Sequence, residues 1–458
     1  MKTKYFTKIW GTILVSSSLL INSCEDFLDL KPTSSIVGEN AISDARTARA
    51  AVTGIYAQFK SLYSSSNSIN ALAQLPGDNV RFGGTQTQSV QLDNNAIPSD
   101  NLSIITVYQN LYSLINRANW VIADIGKVTD VSLTQDEKDK LSGEAYFGRG
   151  YAYFELARGW GDAQIQTTPT TDLSTIKGIT RSPRAAVYAQ AIADLEEAEK
   201  RLPEDNITRN RAQKSTARAI RAKVHLYAEQ WELSEQYASL VIANNKYELA
   251  YPYKAFFTSP FSSKESVFEL NYSSTDKNNH WSSWFPSSLS GSYEFIPTQQ
   301  LIDLLSNPAT AGGRSALIKT AGNYTYGVLY NTNSGATQGT DPEYIIRIAD
   351  LYLIRAEAKA RKASHDYAGA IADLNIIRER AELTPFPFSI TDETTILRAI
   401  EDERRLEFAF EADRWYDLAR TGRAVEALGV HKDYLLFPIP KYDIESDPDL
   451  GGRNNPGY

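Results

Sequence analysis

The composition of the chain is that of an acidic globular protein. It has 458 residues, of which 42% are hydrophobic and 22% are charged, and it contains 26 Tyr and 7 Trp. Its formal net charge of -8 argues against a nucleic-acid partner, because nucleic acids are bound by a basic face. The surplus of Tyr and Trp fits a binding surface and core packing equally well, since both side chains combine an apolar body with a polar tip.

Residues 1–23 are typical of an export signal. Lys2, Lys4 and Lys8 give the stretch a positive start, and the apolar segment 9–21 follows them. A membrane-spanning helix needs about 20 apolar residues, so this segment is too short to span and instead fits a signal peptide. We therefore expect residues 1–23 to be removed on export.

Cys24 follows the leader directly and is the only cysteine of the chain. A small residue before a cysteine at the end of an apolar segment resembles a bacterial lipobox, in which the cysteine is acylated after cleavage. A chance thiol within a leader is the alternative. Acyl chains hold a folded domain on a membrane because each buried CH₂ contributes about 0.8 kcal/mol. The acidic residues Glu25, Asp26 and Asp29 resemble the surface-export signal of Bacteroidetes lipoproteins, or else they form a solvated tether.

Helical periodicity dominates the rest of the chain. Ala48, Val52, Ile55, Phe59 and Leu62 form the apolar stripe of the first predicted helix. Three further helices are predicted from the same periodicity. The first is a long helix through residues 111–125, and the second covers 135–158 and is terminated by Gly159-Trp160-Gly161. The third covers 182–202 and has Pro183 in its first turn.

Two helix pairs follow that resemble tetratricopeptide (TPR) units. Segments 217–227 and 231–242 form the first pair, and segments 348–361 and 367–380 form the second. In each pair an Ala-rich helix is followed by an aromatic residue that opens the next helix, a pattern typical of stacked repeats. Trp160, Trp231 and Trp415 lie in helical segments, and we expect them in the core.

Other stretches are predicted to be irregular because they are rich in Gly, Pro, Asn and Ser. They are residues 76–99, 161–182, 245–346 and the tail after 429. A long irregular stretch inside a folded protein is usually functional. A strand is expected at 266–270.

No catalytic motif is present. The four histidines have no metal-binding spacing, and the sequence lacks GxSxG, P-loop and GxGxxG motifs. The densest carboxylates, Glu401, Glu403, Glu407, Glu411 and Asp413, alternate with arginines. This pattern favours a charged helix held by ion pairs, including one between Glu401 and Arg405, over a glycosidase site.

Six segments, taken together, resemble the SusD/RagB family. Among them are RGYAYFELARGWGD, LYLIRAEA, ERRLEFAFE and the tail strings FPIP and NNPGY. Each string alone is weak evidence, but all occur in family order behind the lipobox. The segments are 149–162, 193–203, 219–231, 351–358, 403–418 and 437–458.

The resemblance implies a mainly α fold, a SusD-like α-α superhelix of TPR-like helix pairs with long irregular ligand-binding loops and a few short strands. It implies one SusD-like domain over residues 24–458. Within that domain, residues 24–245 would be helical, 246–346 would form a loop-rich insertion, and 347–458 would hold the C-terminal TPR-like helices and tail.

The resemblance also implies a function. Members are non-enzymatic nutrient-binding lipoproteins on the outside of the outer membrane, which capture oligo- or polysaccharide and pass it to a SusC-like TonB-dependent transporter. RagB-like members take peptides, so oligopeptide capture stays open within the same architecture. A surface glycosidase and a purely structural TPR adaptor are the remaining alternatives.

The ligand site does not carry over by motif, so we look for aromatic residues on irregular segments. Aromatic rings stack on sugar faces, while amides and arginines bind sugar hydroxyls. Three large aromatics lie within five residues of a Ser-rich loop, where exposure would be costly without a purpose. Packing of the two tryptophans on the helical core is the alternative. The predicted ligand-binding residues are Trp281, Trp284, Phe285, Tyr293, Tyr324, Tyr326, Asn79 and Arg81, with Tyr272, Asp78 and Gln86 beside them.

No catalytic residue and no cofactor is expected. Segment 331–343 carries Asp and Asn side chains that suit Ca²⁺, but it lacks EF-hand spacing. A structural Ca²⁺ in that segment stays an open alternative.

Overall fold

The computed structural model describes residues 41–458 except 65, 206–207 and 259–262. The expected signal peptide 1–23 and the expected lipid attachment at Cys24 lie outside the described residues, as do Glu25, Asp26 and Asp29. Within the described part, the chain is mainly helical with short strands, as expected.

The N-terminal half is built from helices that pack in chain order. α1 packs on α4, α4 on α5, and α5 on α6. The apolar stripe predicted for the first helix is buried, and Asp44 caps its start by accepting a hydrogen bond from the Thr47 backbone N–H. The helices are α1 (Ala45–Tyr63), α2 (Ile69–Gln74), α3 (Thr87–Asp93), α4 (Leu102–Asp124), α5 (Gln135–Gly159) and α6 (Arg184–Arg201).

The two predicted TPR-like pairs are present and stack on one another. The first is α7 (Lys214–Tyr227) with α8 (Trp231–Ile242), and the second is α13 (Ile348–Arg361) with α14 (Tyr367–Arg380). α8 packs on α13, which joins the pairs. The Ser234 hydroxyl donates to the Ala222 carbonyl at 2.9 Å, so a small polar residue permits the close approach of α7 and α8.

The segment between the pairs holds short elements rather than continuous irregular chain. The helices are α9 (Ala255–Thr258), α10 (His280–Trp284), α11 (Gln299–Ser306) and α12 (Pro308–Ala311), and the strands are β4 (Ser266–Leu270), β5 (Phe295–Pro297), β6 (Ile318–Ala321), β7 (Tyr324–Gly327) and β8 (Glu343–Arg347). The predicted strand at 266–270 is thus confirmed, and it pairs antiparallel with β8. β6 and β7 form a hairpin.

Other segments that were predicted to be irregular also contain short elements. Residues 76–99 contain β1 (Val80–Phe82) and α3, and β1 pairs antiparallel with β5. Residues 161–182 begin and end in the paired strands β2 (Ala163–Gln164) and β3 (Arg181–Ser182). These elements are too short to give a periodic signal, so the prediction of irregular structure was wrong for them.

The C-terminal part closes the fold. Its helices are α15 (Glu393–Glu407), α16 (Arg414–Arg420), α17 (Ala424–Leu428) and α18 (Lys441–Ser446). One apolar core runs from Ile42 to Leu450, and a second lies between α13, α14 and α15. Trp160 and Trp415 are buried in the core as expected, while Trp231 is half-buried. No helix in the described part of the chain is long and apolar enough to cross a bilayer.

Candidate functional site

Three segments that are distant in sequence meet on the looped face. Pairing of β1 with β5 sets Arg81 opposite Ile296, so the chain just before β5 lies beside the end of β1. The hairpin β6–β7 packs on β5 and contributes the start of β7. These segments bring together the exposed Arg81 and Tyr324 and the half-buried Tyr293, and we call these three residues the tyrosine surface.

The two tyrosine rings of this surface stand edge to face. Their centroids are 5.0 Å apart and their planes are at 80°. Tyr324 is 46% exposed, whereas Tyr293 is half-buried. The Tyr293 hydroxyl donates to the Thr325 carbonyl at 2.8 Å, which fixes its ring against the hairpin. The surface therefore offers one fixed ring and one accessible ring.

Tyr293 has an unusual backbone conformation. Its φ of 51° lies in the left-handed region, which costs a residue with a side chain about 1–2 kcal/mol. Its backbone N–H donates to the Phe285 carbonyl at 3.0 Å, and the neighbouring Glu294 N–H donates to the Ser283 carbonyl at 2.8 Å. These bonds hold Tyr293 in place, and retention of a strained, half-exposed aromatic residue is typical of functional positions.

Polar groups surround the rings. Arg81 is exposed, and its positive charge opposes the rise that burial causes in the pKa of Tyr293. The Gln86 side-chain amide donates to the Glu294 carboxylate at 2.9 Å, linking the segment after β1 to the segment before β5. The surface thus combines aromatic faces with guanidinium, amide and carboxylate groups. The sequence analysis did not predict Glu294 as a site residue. Its position next to Tyr293 in a loop could have indicated it.

The predicted exposure of the tryptophan loop was wrong. Trp281, Trp284, Phe285 and Tyr326 are all buried, and Trp284 is only 1% exposed. The Trp284 ring lies 4.8 Å from the Phe410 ring and 5.5 Å from the Phe295 ring, both measured between centroids. The apolar rings gain more from burial against the core than from a place in the loop.

The buried rings nevertheless position the tyrosine surface. Phe285 packs against Tyr326 with centroids 4.7 Å apart, which joins α10 to the hairpin that carries Tyr324. Tyr272 is also buried, beneath the Lys60 ammonium. Of the aromatic residues predicted for the site, Tyr293 and Tyr324 are the two that reach the surface together.

Asn79 is buried as well, so its predicted exposure was wrong. Its side-chain amide donates to the Arg405 carbonyl at 3.2 Å, and its carbonyl accepts from the Arg405 guanidinium at 2.8 Å. Asp78 is bound by Arg414 at 2.6 Å. Both residues fasten the segment before β1 to the C-terminal helices, because their polar groups find partners there rather than in solvent.

The dense carboxylates in and just after α15 are ion-paired, as expected, mainly across elements, although Glu401 also lies 3.9 Å from Arg398 along the helix. Glu401 pairs with Arg423 at 2.9 Å, and Arg405 pairs with Asp78 at 3.2 Å, so the expected pair between Glu401 and Arg405 is replaced by longer-range pairs. These residues lie where the helix packs on the rest of the fold, so each finds its opposite charge on another segment.

Glu407 is the centre of this buried charge cluster. It pairs with Arg314 at 2.9 Å, with Arg347 at 3.0 Å and with Arg380. Burial alone would raise the pKa of Glu407, but the three guanidinium groups outweigh it and lower the pKa to about 2. Arg347 also binds Glu411 at 2.6 Å. These carboxylates are enclosed by arginines, so the loss of one arginine would leave a buried carboxylate without a partner.

The loop considered for Ca²⁺ uses its acid internally. Asp341 accepts hydrogen bonds from the Thr332 backbone N–H at 2.9 Å and from the Thr332 hydroxyl at 2.6 Å. Among residues 41–458, leaving aside 65, 206–207 and 259–262, no group of three or more His, Cys, Asp or Glu side chains is arranged to hold a metal ion.

A scaffold of helical repeats with a looped aromatic surface is typical of binding proteins. Comparison with known proteins identifies the family. The profile described as "SusD family" matches residues 306–435, and the profile described as "Starch-binding associating with outer membrane" matches residues 26–226. The chain is 26% identical to SusD-like protein P2 of Formosa agariphila over 96% of this chain and 98% of that protein. It is 27% identical to a SusD-like protein of Bacteroides ovatus over 91% of this chain and 83% of that protein.

Solved structures share the fold. A SusD superfamily protein from Bacteroides vulgatus superposes with a TM-score of 0.77 at 22% identity, covering 90% of this chain and 99% of that one. A laminarin-binding SusD-like protein superposes with a TM-score of 0.75 at 22% identity, covering 91% and 100%. The chain belongs to the SusD/RagB family. Its members are described as starch-binding and associated with the outer membrane.

Proposed function

We propose that this protein is a non-enzymatic surface lipoprotein that captures oligo- or polysaccharide at the tyrosine surface. In this proposal Cys24 carries the lipid anchor, residues 24–458 act as one domain without a cofactor, and the glycan passes to a SusC-like TonB-dependent transporter in the outer membrane. The observation that carries the proposal is the convergence of Arg81, Tyr293 and Tyr324 from three segments, with Tyr293 held in a strained conformation.

The chemistry of the surface suits a sugar. The exposed Tyr324 ring presents a flat face to sugar C–H groups, and Arg81, Gln86 and Glu294 supply hydrogen-bond donors and acceptors for hydroxyls. Glycoside hydrolysis would need two carboxyl groups about 5–10 Å apart across a substrate. Glu294, the carboxylate nearest the rings in sequence, is already bound by Gln86, which favours binding over cleavage.

Calorimetric titration of Tyr324→Ala tests the ligand site. The probes are laminarin and starch oligosaccharides, with an oligopeptide panel in parallel. We expect a glycan to bind the unaltered protein and the variant to bind it at least about tenfold more weakly, a change of about 1.4 kcal/mol. Phe388→Ala removes another exposed aromatic, 61% exposed and remote from the surface in sequence, and should leave affinity unchanged.

Three other outcomes of these titrations would contradict the proposal. Binding of peptides without any glycan would favour the RagB-like alternative. Equal affinity of Tyr324→Ala and the unaltered protein would exclude the tyrosine surface. Release of shorter sugars from a bound oligosaccharide would show an enzyme.

The anchor and the partner need separate measurements. Mass spectrometry of the mature protein should find an acylated Cys24 and no leader, and an intact leader with a free thiol would contradict the anchor. A TonB-dependent transporter should co-purify with the protein from outer-membrane extracts in mild detergent. Recovery of the protein without any transporter would contradict delivery by direct handover.

A further inference from the structure

A cleft elsewhere in the fold shares no lining residue with the tyrosine surface. It encloses about 430 Å³, within the range of about 300–1,000 Å³ that is usual for small-molecule sites. Its walls come from three parts of the chain: one face of α4, the segment between β2 and β3, and the C-terminal region around α18. These parts are far apart along the chain, so no sequence pattern predicted the cleft.

Hydrogen bonds across the cleft fix its shape. The Gln164 side-chain amide donates to the Asp447 carboxylate at 2.9 Å, which ties β2 to the end of α18. The Asn116 side-chain carbonyl accepts from the Thr170 backbone N–H at 2.9 Å, which ties α4 to the loop after β2. The cleft therefore keeps its form without a ligand, which reduces the entropy that binding would cost.

Several polar groups in the cleft remain available to a ligand. The Asp443 carboxylate lines the cleft and is half-buried, and a hydrogen bond from the Gln109 side chain opposes the rise that burial causes in its pKa. A carboxylate has about four acceptor sites, so Asp443 can also accept from a ligand hydroxyl. Gln109 and Ser113 also line the cleft and are exposed, so their amide and hydroxyl are accessible to a ligand.

The charge and the apolar lining narrow the class of ligand. The described lining includes the carboxylates of Asp443 and Asp447 but no Lys or Arg, so it disfavours an anion such as a uronate or a sulfated sugar. The nearby Arg181 guanidinium affects the cleft electrostatically, since its charge opposes the rise that burial causes in the pKa of Tyr112. This guanidinium donates a hydrogen bond to the Asn455 side-chain carbonyl at 2.7 Å. The rings of Tyr108 and Tyr112 supply apolar surface.

We propose that this cleft is a second binding site, for a neutral sugar of one or two units. Such a sugar has C–H groups for the tyrosine rings and hydroxyls for Asp443, Gln109 and Ser113. The site is independent of the tyrosine surface, so either site can exist without the other. Its size suits short sugars rather than a polymer chain.

Saturation-transfer NMR on the purified full chain carrying Tyr324→Ala, which weakens the tyrosine surface, tests the proposal. The probes are glucose, galactose, maltose and laminaribiose, with glucuronate as the anionic counterpart of glucose. We expect at least one neutral sugar to give a signal and glucuronate to give none. Ser113→Trp fills the cleft from the exposed face of α4 and should weaken that signal more than tenfold, and Asp443→Asn should weaken it several-fold.

One further variant keeps the test decisive. Gln109→Ala, at an exposed position, should weaken binding several-fold even where Ser113→Trp does not fold, as judged by its thermal unfolding. All cleft variants are compared within the Tyr324→Ala background, so a loss of signal reports on the cleft and not on the tyrosine surface. The proposal is overturned if no neutral sugar binds the Tyr324→Ala chain, if the cleft variants bind as that chain does, or if glucuronate binds equally well.

Discussion

The buried charge cluster around Glu407 and the tyrosine surface place the same kinds of residue in opposite surroundings. Arg347 lies inside the fold among Glu407 and Glu411, whereas Arg81 lies exposed beside two tyrosines. The cluster joins α15 to the second TPR-like pair. The tyrosine surface leaves the Arg81 guanidinium and the Tyr324 ring exposed beside the strained Tyr293. The comparison teaches that burial, rather than residue type, separates scaffold from site in this protein.

Removal of an arginine from the cluster should have the largest effect. Arg347→Met leaves Glu407 and Glu411 buried without their shared partner, so we expect the free energy of unfolding to fall by about 3–5 kcal/mol. Urea unfolding measures this fall. Arg398→Met removes a guanidinium that is 51% exposed, and it should cost no more than about 1 kcal/mol. Equal effects of the two variants would contradict the distinction between buried and exposed pairs.

Substitution of Trp284 tests whether this residue belongs to the buried scaffold or to the ligand site. Its ring is packed on Phe410 and Phe295, so Trp284→Ala should lower the free energy of unfolding by about 3–4 kcal/mol. Trp284→Phe keeps an apolar ring and should recover part of that loss while glycan affinity stays near that of the unaltered protein. A fully stable Trp284→Phe with weakened glycan binding would instead show that Trp284 contacts the ligand.

This tryptophan also shows how far the sequence could predict the molecule. Both TPR-like pairs were predicted close to their observed bounds, because Ala-rich helices repeat a periodic pattern over many residues. Of the residues predicted for the site, Arg81, Tyr293 and Tyr324 reach the surface whereas Trp284 is buried, and ligand binding by the exposed three stays a prediction. Aromatic residues in a polar loop have no periodicity that distinguishes exposure from burial. That distinction depends on long-range packing, here of α10 against Phe410.

The pH dependence of stability should be smaller but specific. Glu343 is buried, which raises its pKa from 4.5 to about 8, although the Tyr330 hydroxyl donates to it at 2.8 Å. As the pH rises, the unfolded chain releases this proton before the folded chain does, so ionisation favours unfolding. The contribution of Glu343 to the free energy of unfolding is therefore fully present below pH 4.5 and is lost as the pH rises towards 8. His280 lies 3.6 Å from Glu343, and burial lowers its pKa from 6.5 to about 4. Its effect on the pH dependence of stability therefore falls below pH 6.5.

Urea unfolding of Glu343→Gln between pH 6.5 and 8 isolates this group from His280. The amide cannot ionise, so stability should fall less steeply with pH than in the unaltered protein, by at most about 1.4 kcal/mol per pH unit. Glu232→Gln alters an exposed glutamate and should leave the slope unchanged. A slope that is the same in all three proteins would show that Glu343 does not titrate in this window.

The smallest effect concerns backbone strain, which occurs in the helical scaffold as well as in the tyrosine surface. Glu229, in the turn between α7 and α8, has a φ of 57°, close to the 51° of Tyr293. Glu229→Gly should raise the free energy of unfolding by about 0.5–1 kcal/mol, because glycine adopts this conformation without the cost that a side chain adds. Glu229→Ala keeps the Cβ and should give no gain. Tyr293→Gly relieves similar strain but loses the ring contact with Tyr324 and the bond to Thr325, so it should not stabilise and should weaken glycan binding. If Tyr293→Gly were stabilised as much as Glu229→Gly with unchanged glycan affinity, the strain at Tyr293 would have no connection with binding.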